Sequence, residues 1–133
     1  MEGRPQFESR FLVGNAQIDQ EHERLFEIAS RVYDSLAVRN EAGAVNTAIA
    51  ELLDYTETHF ASEEGLMVAA GYPHLEAHRA LHRHLLAQVR DMEMRAEFGE
   101  QYVPAELNHL ITNWLVDHIL TNDKKIGEFL SGR

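Results

Sequence analysis

Apolar residues recur every three or four positions along most of the chain, which is the spacing of one face of an α-helix. The first of these stripes consists of Leu25, Phe26, Ala29, Val32, Tyr33 and Leu36. It follows Asp19, whose carboxylate can accept hydrogen bonds from the first free N–H groups of a helix. The pattern therefore predicts a first helix that begins near Asp19.

Residues that break helices divide the remaining chain into three further helical stretches. The second should run from about Ala42 to Ala70 and end at Gly71, since glycine commonly terminates a helix. Pro73 suits the first turn of a third helix. That helix continues until Phe98-Gly99 interrupts the pattern, and Pro104 then opens a fourth.

The order of these stretches predicts an all-α fold. No segment alternates between apolar and polar residues with period two, so no strand is expected. Four amphipathic helices with short connections predict an antiparallel up-down-up-down four-helix bundle. An apolar tail at Ile126, Phe129 and Leu130 adds a short C-terminal helix. The 133 residues suit a single domain, with an irregular N-terminal arm at 1–17 and the helical bundle at 18–133.

Charge and composition limit the classes of partner and of metal site that the chain can have. The formal charge is −10, from 22 acidic and 12 basic residues, which argues against binding to nucleic acid or to an anionic membrane. No apolar run approaches the roughly 20 residues that span a bilayer, and no signal-peptide core opens the chain, so the cytoplasm is the expected location. Cysteine is absent, so any metal must be held by nitrogen and oxygen.

Polar residues interrupt the apolar stripes at five positions. They are His59 and Glu63 on the second helix, His78 and His82 on the third, and His118 on the fourth. A spacing of four residues keeps two side chains within ~40° of each other on a helix. A single histidine on an apolar face is more often a hydrogen-bonded core residue. Burying several of them with a glutamate, and without lysine or arginine, favours a bound cation.

Four segments, in this order, resemble the hemerythrin family and its bacterial single-domain members in particular. Ile18–Phe26 is similar to the family's first-helix signature, and His59–Met67 matches the pattern H-F-x-x-E-x-x-L-M. Gly71–His82 contains the entry to the third helix and its H-x-x-x-H, and Trp114–Asp123 resembles W-L-x-x-H-I-x-x-x-D. One departure is Phe7, near which the bacterial relatives usually carry tryptophan.

The resemblance implies a non-haem di-iron centre. Its seven protein ligands would be His22, His59, Glu63, His78, His82, His118 and Asp123. Glu63 and Asp123 would bridge the two irons together with an oxo or hydroxo group. One iron would take three histidines and the other would take His22 and His59, which leaves the second iron an open coordination position for molecular oxygen.

The resemblance also implies an apolar pocket around that position. Its residues would be Leu25, Phe60, Trp114, Leu115 and Ile119. Asp123 follows His118 by five residues, which turns it by ~140° on a regular α-helix. The helix is therefore expected to unwind or bulge between these two residues. His74, His84 and His109 lie outside the motifs and are predicted to be surface residues.

The function that the resemblance implies is reversible oxygen binding by a carrier, store or buffer that is not an enzyme. Nitric oxide or anions such as azide could bind at the same iron. Two alternatives stay open: a sensor of oxygen, nitric oxide or redox state, and a di-iron enzyme, either peroxidase-like or a hydrolase. A ferritin-like site is excluded by count, because it needs two E-x-x-H motifs and only Glu106 and His109 form one here.

Overall fold

Long helices make up most of the structure, a computed structural model that describes residues 5–36, 42–97 and 104–132. The helices are α1 (Ala16–Leu36), α2 (Ala42–Ala70), α3 (Leu75–Glu97), α4 (Pro104–His118) and α5 (Lys124–Ser131). α2 contacts α1 and α3, and α4 contacts α1. Since the described residues contain no strand, the prediction of an all-α four-helix bundle is confirmed. The expected break at Phe98-Gly99 lies outside the described residues.

The predicted apolar stripes form the core of the bundle. On α1, Leu25, Phe26, Ala29 and Val32 are at most 2% exposed. Equivalent stripes on α2 and α4 are buried against them, and each large side chain removed from water stabilises the fold by about 1.5–3 kcal/mol. Within the described ranges, no helix is both long enough and apolar enough to cross a membrane.

The start of α1 differs from the prediction. The helix begins at Ala16, and the side-chain oxygen of Asn15 accepts a hydrogen bond from the Ile18 N–H at 3.0 Å. Asn15 is therefore the capping residue, and the prediction that Asp19 caps the helix was wrong. Asp19 Oδ1 accepts the Val13 N–H at 2.8 Å instead, so this carboxylate holds the arm against the first turn.

The end of α2 follows from the backbone of Gly71. This residue has a φ of +70°, a conformation that glycine adopts without steric cost. The Tyr72 N–H then bonds the Met67 carbonyl at 3.0 Å and the Gly71 N–H bonds the Val68 carbonyl at 3.2 Å, which together form a Schellman motif. Pro73 lies in the turn before α3 rather than in its first turn.

The predicted bulge after His118 is present as a π-helical turn. This π turn spans Ile119–Asp123 and joins α4 to α5. The Lys124 N–H bonds the carbonyl of Ile119, five residues earlier, which is the hydrogen bond that defines a π turn. Residues five apart therefore come to the same side of the chain here.

The N-terminal arm is attached to α1 by aromatic packing. The Phe7 ring lies 6.1 Å from the Phe11 ring and 5.7 Å from the Phe26 ring, between centroids, and Phe11 stacks on Phe26 at 5.0 Å. The Ser30 hydroxyl donates a hydrogen bond to the Pro5 carbonyl. Phe7 thus contributes to the packing of the arm against α1. The division into one domain with an arm at 1–17 stays a prediction.

The arm also passes directly over α5. A Cβ atom on Gly127 would lie 2.0 Å from the Val13 carbonyl oxygen, a distance that no side chain could occupy. Gly127 is one turn after Asp123 and is buried. Close contact of backbone with backbone therefore holds α5, and with it the end of the π turn, against the arm.

We predict that Gly127→Ala lowers the free energy of unfolding by about 1–3 kcal/mol, as overpacking does. Gly65→Ala is the matched control, because a Cβ at this exposed helical position would meet nothing within 4 Å. That change should raise the free energy of unfolding by about 0.4–1 kcal/mol. Urea denaturation of the three proteins measures both effects, and equal stability of the two variants would contradict the contact.

Candidate metal centre

All seven residues expected to bind metal meet in the middle of the bundle. The side chains are His22 from α1, His59 and Glu63 from α2, His78 and His82 from α3, His118 from α4 and Asp123 from the π turn. None is more than 7% exposed. They meet because each side chain occupies a position on the buried face of its helix.

Glu63 presents one oxygen to each of two pairs of histidines. Its Oε1 lies 2.9 Å from His78 Nε2 and 3.1 Å from His82 Nε2. Its Oε2 lies 3.2 Å from His59 Nε2 and 3.6 Å from His22 Nε2. The carboxylate therefore stands between two separate sets of nitrogen donors.

Asp123 divides its oxygens in the same way. Its Oδ1 lies 3.1 Å from both His78 Nε2 and His118 Nε2, while Oδ2 lies 2.9 Å from His22 Nε2. The π turn makes this possible, because a regular helix would turn Asp123 away from His118. Both carboxylates thus face the same two sets of histidines.

The donor atoms form two groups, in each of which all atoms lie within 4.8 Å of one another. The first consists of Glu63, His78, His82, His118 and Asp123, and the second of His22, His59, Glu63 and Asp123. Metal–ligand bonds of about 2.1 Å at right angles put neighbouring donors about 3.0 Å apart. Most of the nitrogen–oxygen separations given above are close to that value.

Several of these buried atoms have no hydrogen-bond partner among the described residues. They are both ring nitrogens of His22, His118 Nε2, Glu63 Oε2 and both oxygens of Asp123. Buried polar atoms without partners destabilise a fold, and the described partners of the two carboxylates are histidines rather than lysine or arginine. A pair of cations would satisfy these atoms, so the residues present fit two metal ions.

The carboxylates and imidazoles shift one another's pKa. Burial would raise the pKa of Glu63, but hydrogen bonds with the surrounding histidines lower it well below its usual value. Burial would lower the pKa of His59, yet the nearby carboxylates of Glu21 and Glu63 raise it to about 9. The pKa of His78 also rises to about 9, against burial, through Asp123 and Glu63. Both imidazoles therefore carry a proton on each ring nitrogen, and a positive charge, at neutral pH when no cation is bound.

Two further carboxylates, which the sequence reasoning missed, contact the outer nitrogens of the cluster. Glu21 Oε1 lies 2.7 Å from His59 Nδ1, and Glu64 Oε2 lies 2.8 Å from His82 Nδ1. Burial raises the pKa of Glu21, but hydrogen bonds with His59 and Ser62 lower it below the usual value. One signal was present in the sequence, since each of these residues is adjacent to an expected ligand.

The five apolar residues expected to form an oxygen pocket all border one small cavity. It is lined by Leu25, Phe60, Trp114, Leu115 and Ile119 together with His22, His59, His118 and Asp123. Its volume is about 10 Å³, close to the space that one water-sized sphere needs. The Phe60 ring stacks on the His82 ring at 3.6 Å between centroids, which fixes one wall.

The remaining three histidines lie apart from the cluster. His74, His84 and His109 are all exposed, which confirms the prediction that they are surface residues. Spacing explains the result for His84, which lies two residues after His82 and so points to another side of α3. Its exposure makes it a suitable control position for experiments on metal binding.

Comparisons with known proteins agree with the fold and the ligand pattern. The model of the family "Hemerythrin HHE cation binding domain" matches residues 13–130. Bacteriohemerythrins from Stenotrophomonas maltophilia and Methylococcus capsulatus are 36% and 32% identical, covering 84% and 85% of this chain and 72% and 86% of those proteins. A crystal structure of wild-type hemerythrin superposes with a TM-score of 0.83 at 30% identity, covering 90% of this chain and 91% of that one.

We predict that cation binding releases protons. His59 and His78, with pKa values raised to about 9, hold protons at pH 7, whereas a metal-bound imidazole is neutral. Zn²⁺ added to the cation-free protein at pH 7 should acidify a weakly buffered solution that contains a pH indicator. The apparent Zn²⁺ affinity should rise between pH 6 and pH 9, because fewer protons compete.

The control is His84→Ala, which changes an exposed histidine and should release as many protons as the unchanged chain. Binding without acidification, or an affinity that stays constant over this pH range, would show that the histidines are not protonated in the cation-free cluster.

Proposed function

Because the chain belongs to the hemerythrin family, we propose that it is a non-haem di-iron protein that binds molecular oxygen reversibly, as a carrier, store or buffer. The observation that carries the proposal is the pair of buried donor groups that share Glu63 and Asp123. An apolar cavity is bordered by both histidines of one group, His22 and His59, and by His118 alone among the three histidines of the other. Oxygen binding at only one of two irons requires that a small molecule can reach one metal position more easily than the other.

The seven residues divide into ligands of two irons. His78, His82 and His118 would hold one iron, and His22 and His59 the other. Glu63 and Asp123 would bridge them, with an oxo or hydroxo group as the third bridge. Support for the bridging role comes from the division of oxygens, since each carboxylate turns one oxygen toward each set of histidines.

Charge compensation explains why these residues can be buried together. Two carboxylates without lysine or arginine partners would be costly in an apolar core, and two divalent cations would neutralise and coordinate them. Two ferrous ions can together supply two electrons to dioxygen and take them back. The chain's own contribution is to hold the seven donors in place before oxygen arrives, so that little rearrangement accompanies uptake.

The apolar residues around the cavity limit what can reach the second iron. Leu25, Leu115 and Ile119 offer no hydrogen bonds, so their side chains would keep water and protons from the open coordination position. A volume of about 10 Å³, close to one water-sized sphere, leaves room only for a small ligand; oxygen, nitric oxide and azide are of this class. A phosphoester is larger than this space, and the lining contains no lysine or arginine for a phosphate, which argues against a two-metal hydrolase.

Among the remaining alternatives, a sensor would use this same site, and no feature of the described residues favours it over a carrier. An enzyme with peroxidase-like activity would need room for an organic substrate at the open coordination position, and the apolar cavity beside His22 and His59 is too small for one. Larger clefts of about 240 and 230 Å³ border His118 and His78 instead. We therefore propose binding without turnover. A cytoplasmic location stays a prediction from the sequence.

We predict about two irons per chain after iron-supplemented expression, and an absorption band that appears in air, disappears on anaerobic reduction and returns on each new exposure to oxygen. Glu63→Ala should lose the paired site, because it removes a donor from both groups, whereas His84→Ala should retain two irons. Metal analysis and absorption spectra test both. A content near one iron, or a band that fails to return after the first cycle, would contradict the proposal.

We further predict that Leu115→Ala keeps two irons but speeds the loss of oxygen-responsive protein. Leu115 is 3% exposed and borders the cavity, so a smaller side chain would admit water next to the open coordination position. The decay of the oxygen-dependent band should be faster than in the unchanged protein at the same pH, and azide should enter faster. If the band decays and azide enters at equal rates in the two proteins at equal iron content, Leu115 does not protect the open coordination position.

A further inference from the structure

Two carboxylates outside the ligand set each contact the Nδ1 atom of one ligand histidine, on the side of the ring away from the metal site. Glu21 reaches from α1 to His59 Nδ1 at 2.7 Å, and Glu64 reaches from α2 to His82 Nδ1 at 2.8 Å. A histidine that donates its Nδ1 proton to a carboxylate keeps Nε2 free as a metal donor and keeps its ring in one orientation. The Nε2 atoms of both rings do face Glu63.

The two carboxylates differ in how their charge is compensated. Apart from His59, the hydrogen-bond partners described for Glu21 are neutral: the Ser62 hydroxyl at 2.9 Å and the Gln17 amide at 3.5 Å. Gln17 also donates to Ser62 Oγ at 2.7 Å, which fixes that hydroxyl. These contacts orient the Glu21 carboxylate and leave its negative charge in place.

Glu64, by contrast, pairs with a cation. Arg79 Nε lies 3.3 Å from Glu64 Oε1, on the oxygen that His82 does not use. Arg79 also pairs through Nη1 with Glu76 at 2.6 Å, so its charge offsets part of the field that Glu64 would exert on His82. The two histidines therefore have similar hydrogen bonds but different net charge behind them.

The two carboxylates also serve different metal positions. His59 belongs to the donor group with His22 and borders the cavity, whereas His82 belongs to the other group and does not border it. Any influence that Glu21 has on His59 thus acts on the ion next to the cavity. Glu64 acts on the other ion, of whose three histidines only His118 borders the cavity.

We propose that Glu21 is a positioning residue that orients His59 and, through its uncompensated charge, makes the iron held by His22 and His59 the easier of the two to oxidise. Negative charge transmitted through an imidazole stabilises the more highly charged ferric ion. Glu64, whose charge Arg79 partly offsets, orients His82 with a smaller effect on its iron. This inference rests on the proposed function, because it assigns a task to a residue behind the same site.

The orienting role is tested with Co²⁺ alone, titrated into the cation-free protein and followed by its visible absorption. Glu21→Ala removes the acceptor for Nδ1 and should weaken one of two Co²⁺ sites by ~10–100-fold. Glu21→Gln keeps an oxygen acceptor and should restore affinity to within a few-fold. Circular dichroism of the cation-free variants checks that each folds. If Glu21→Ala, once folded, binds both ions as the unchanged protein does, Glu21 does not position His59.

The electronic role is tested by titrating the diferric protein with dithionite, which supplies one electron per iron, in the presence of redox mediators. Glu21→Gln and Glu64→Gln are matched, since both remove one charge behind one histidine and keep the hydrogen bond. Glu21→Gln should raise the reduction potential of the iron centre more than Glu64→Gln does. Arg79→Ala should lower it, because it exposes the charge of Glu64. Equal shifts in the two Gln variants, or no effect of Arg79→Ala, would overturn the proposed asymmetry.

The unchanged chain separates failure of this inference from failure of the proposed function. If it does not bind two Co²⁺ ions, the di-iron function itself is wrong. If it binds two Co²⁺ ions and responds to oxygen in repeated cycles while all Glu21 variants behave like it, the di-iron function stands and the role of Glu21 is refuted.

Discussion

The burial of Glu63 and Asp123 is the constraint on which the rest of the structure depends. Two carboxylates with 0% exposure cannot stay in an apolar core unless positive charge or hydrogen-bond donors surround them. The fold supplies five imidazoles rather than lysine or arginine, and imidazoles can give up a proton and become metal donors. The same arrangement that makes burial tolerable without a cation therefore makes a paired cation site favourable.

Sequence periodicity predicted the bundle because four long amphipathic helices bury their apolar faces when they pack side by side around one core. The ligand set that the family resemblance implies predicted the irregular turn before Asp123, since a spacing of five from His118 conflicts with a regular helix. The cap of α1 was assigned wrongly because Asn15 and Asp19 both have the right side chain, and the path of the arm decides between them. Glu21 and Glu64 escaped notice because their contacts depend on how the helices are rotated against each other. The sequence pattern alone does not contain that rotation.

The small size and the apolar lining of the cavity together limit which molecules can reach the metal site. The expected pocket residues could be carried over from family motifs, but the cavity volume depends on how their rings and branches pack, including the stack of Phe60 on His82. That volume argues against a hydrolase where the ligand set does not, because oxygen-binding proteins and hydrolases can share the same donors. Selectivity in this protein would therefore arise from packing, and metal binding from the pattern of polar residues.

The π turn has a consequence for how the chain tolerates change. One additional residue in the helix shifts the phase of everything after it by about 100°, so Ile119–Asp123 sets both the direction of Asp123 and the side of α5 that meets the arm at Gly127. If the same residues wound as a regular α-helix, Asp123 would turn away from His118 and the side of α5 that carries Gly127 would turn away from the arm. Ligand placement and the seating of the C-terminal helix are thus set by a single irregularity, and neither can be altered there without the other.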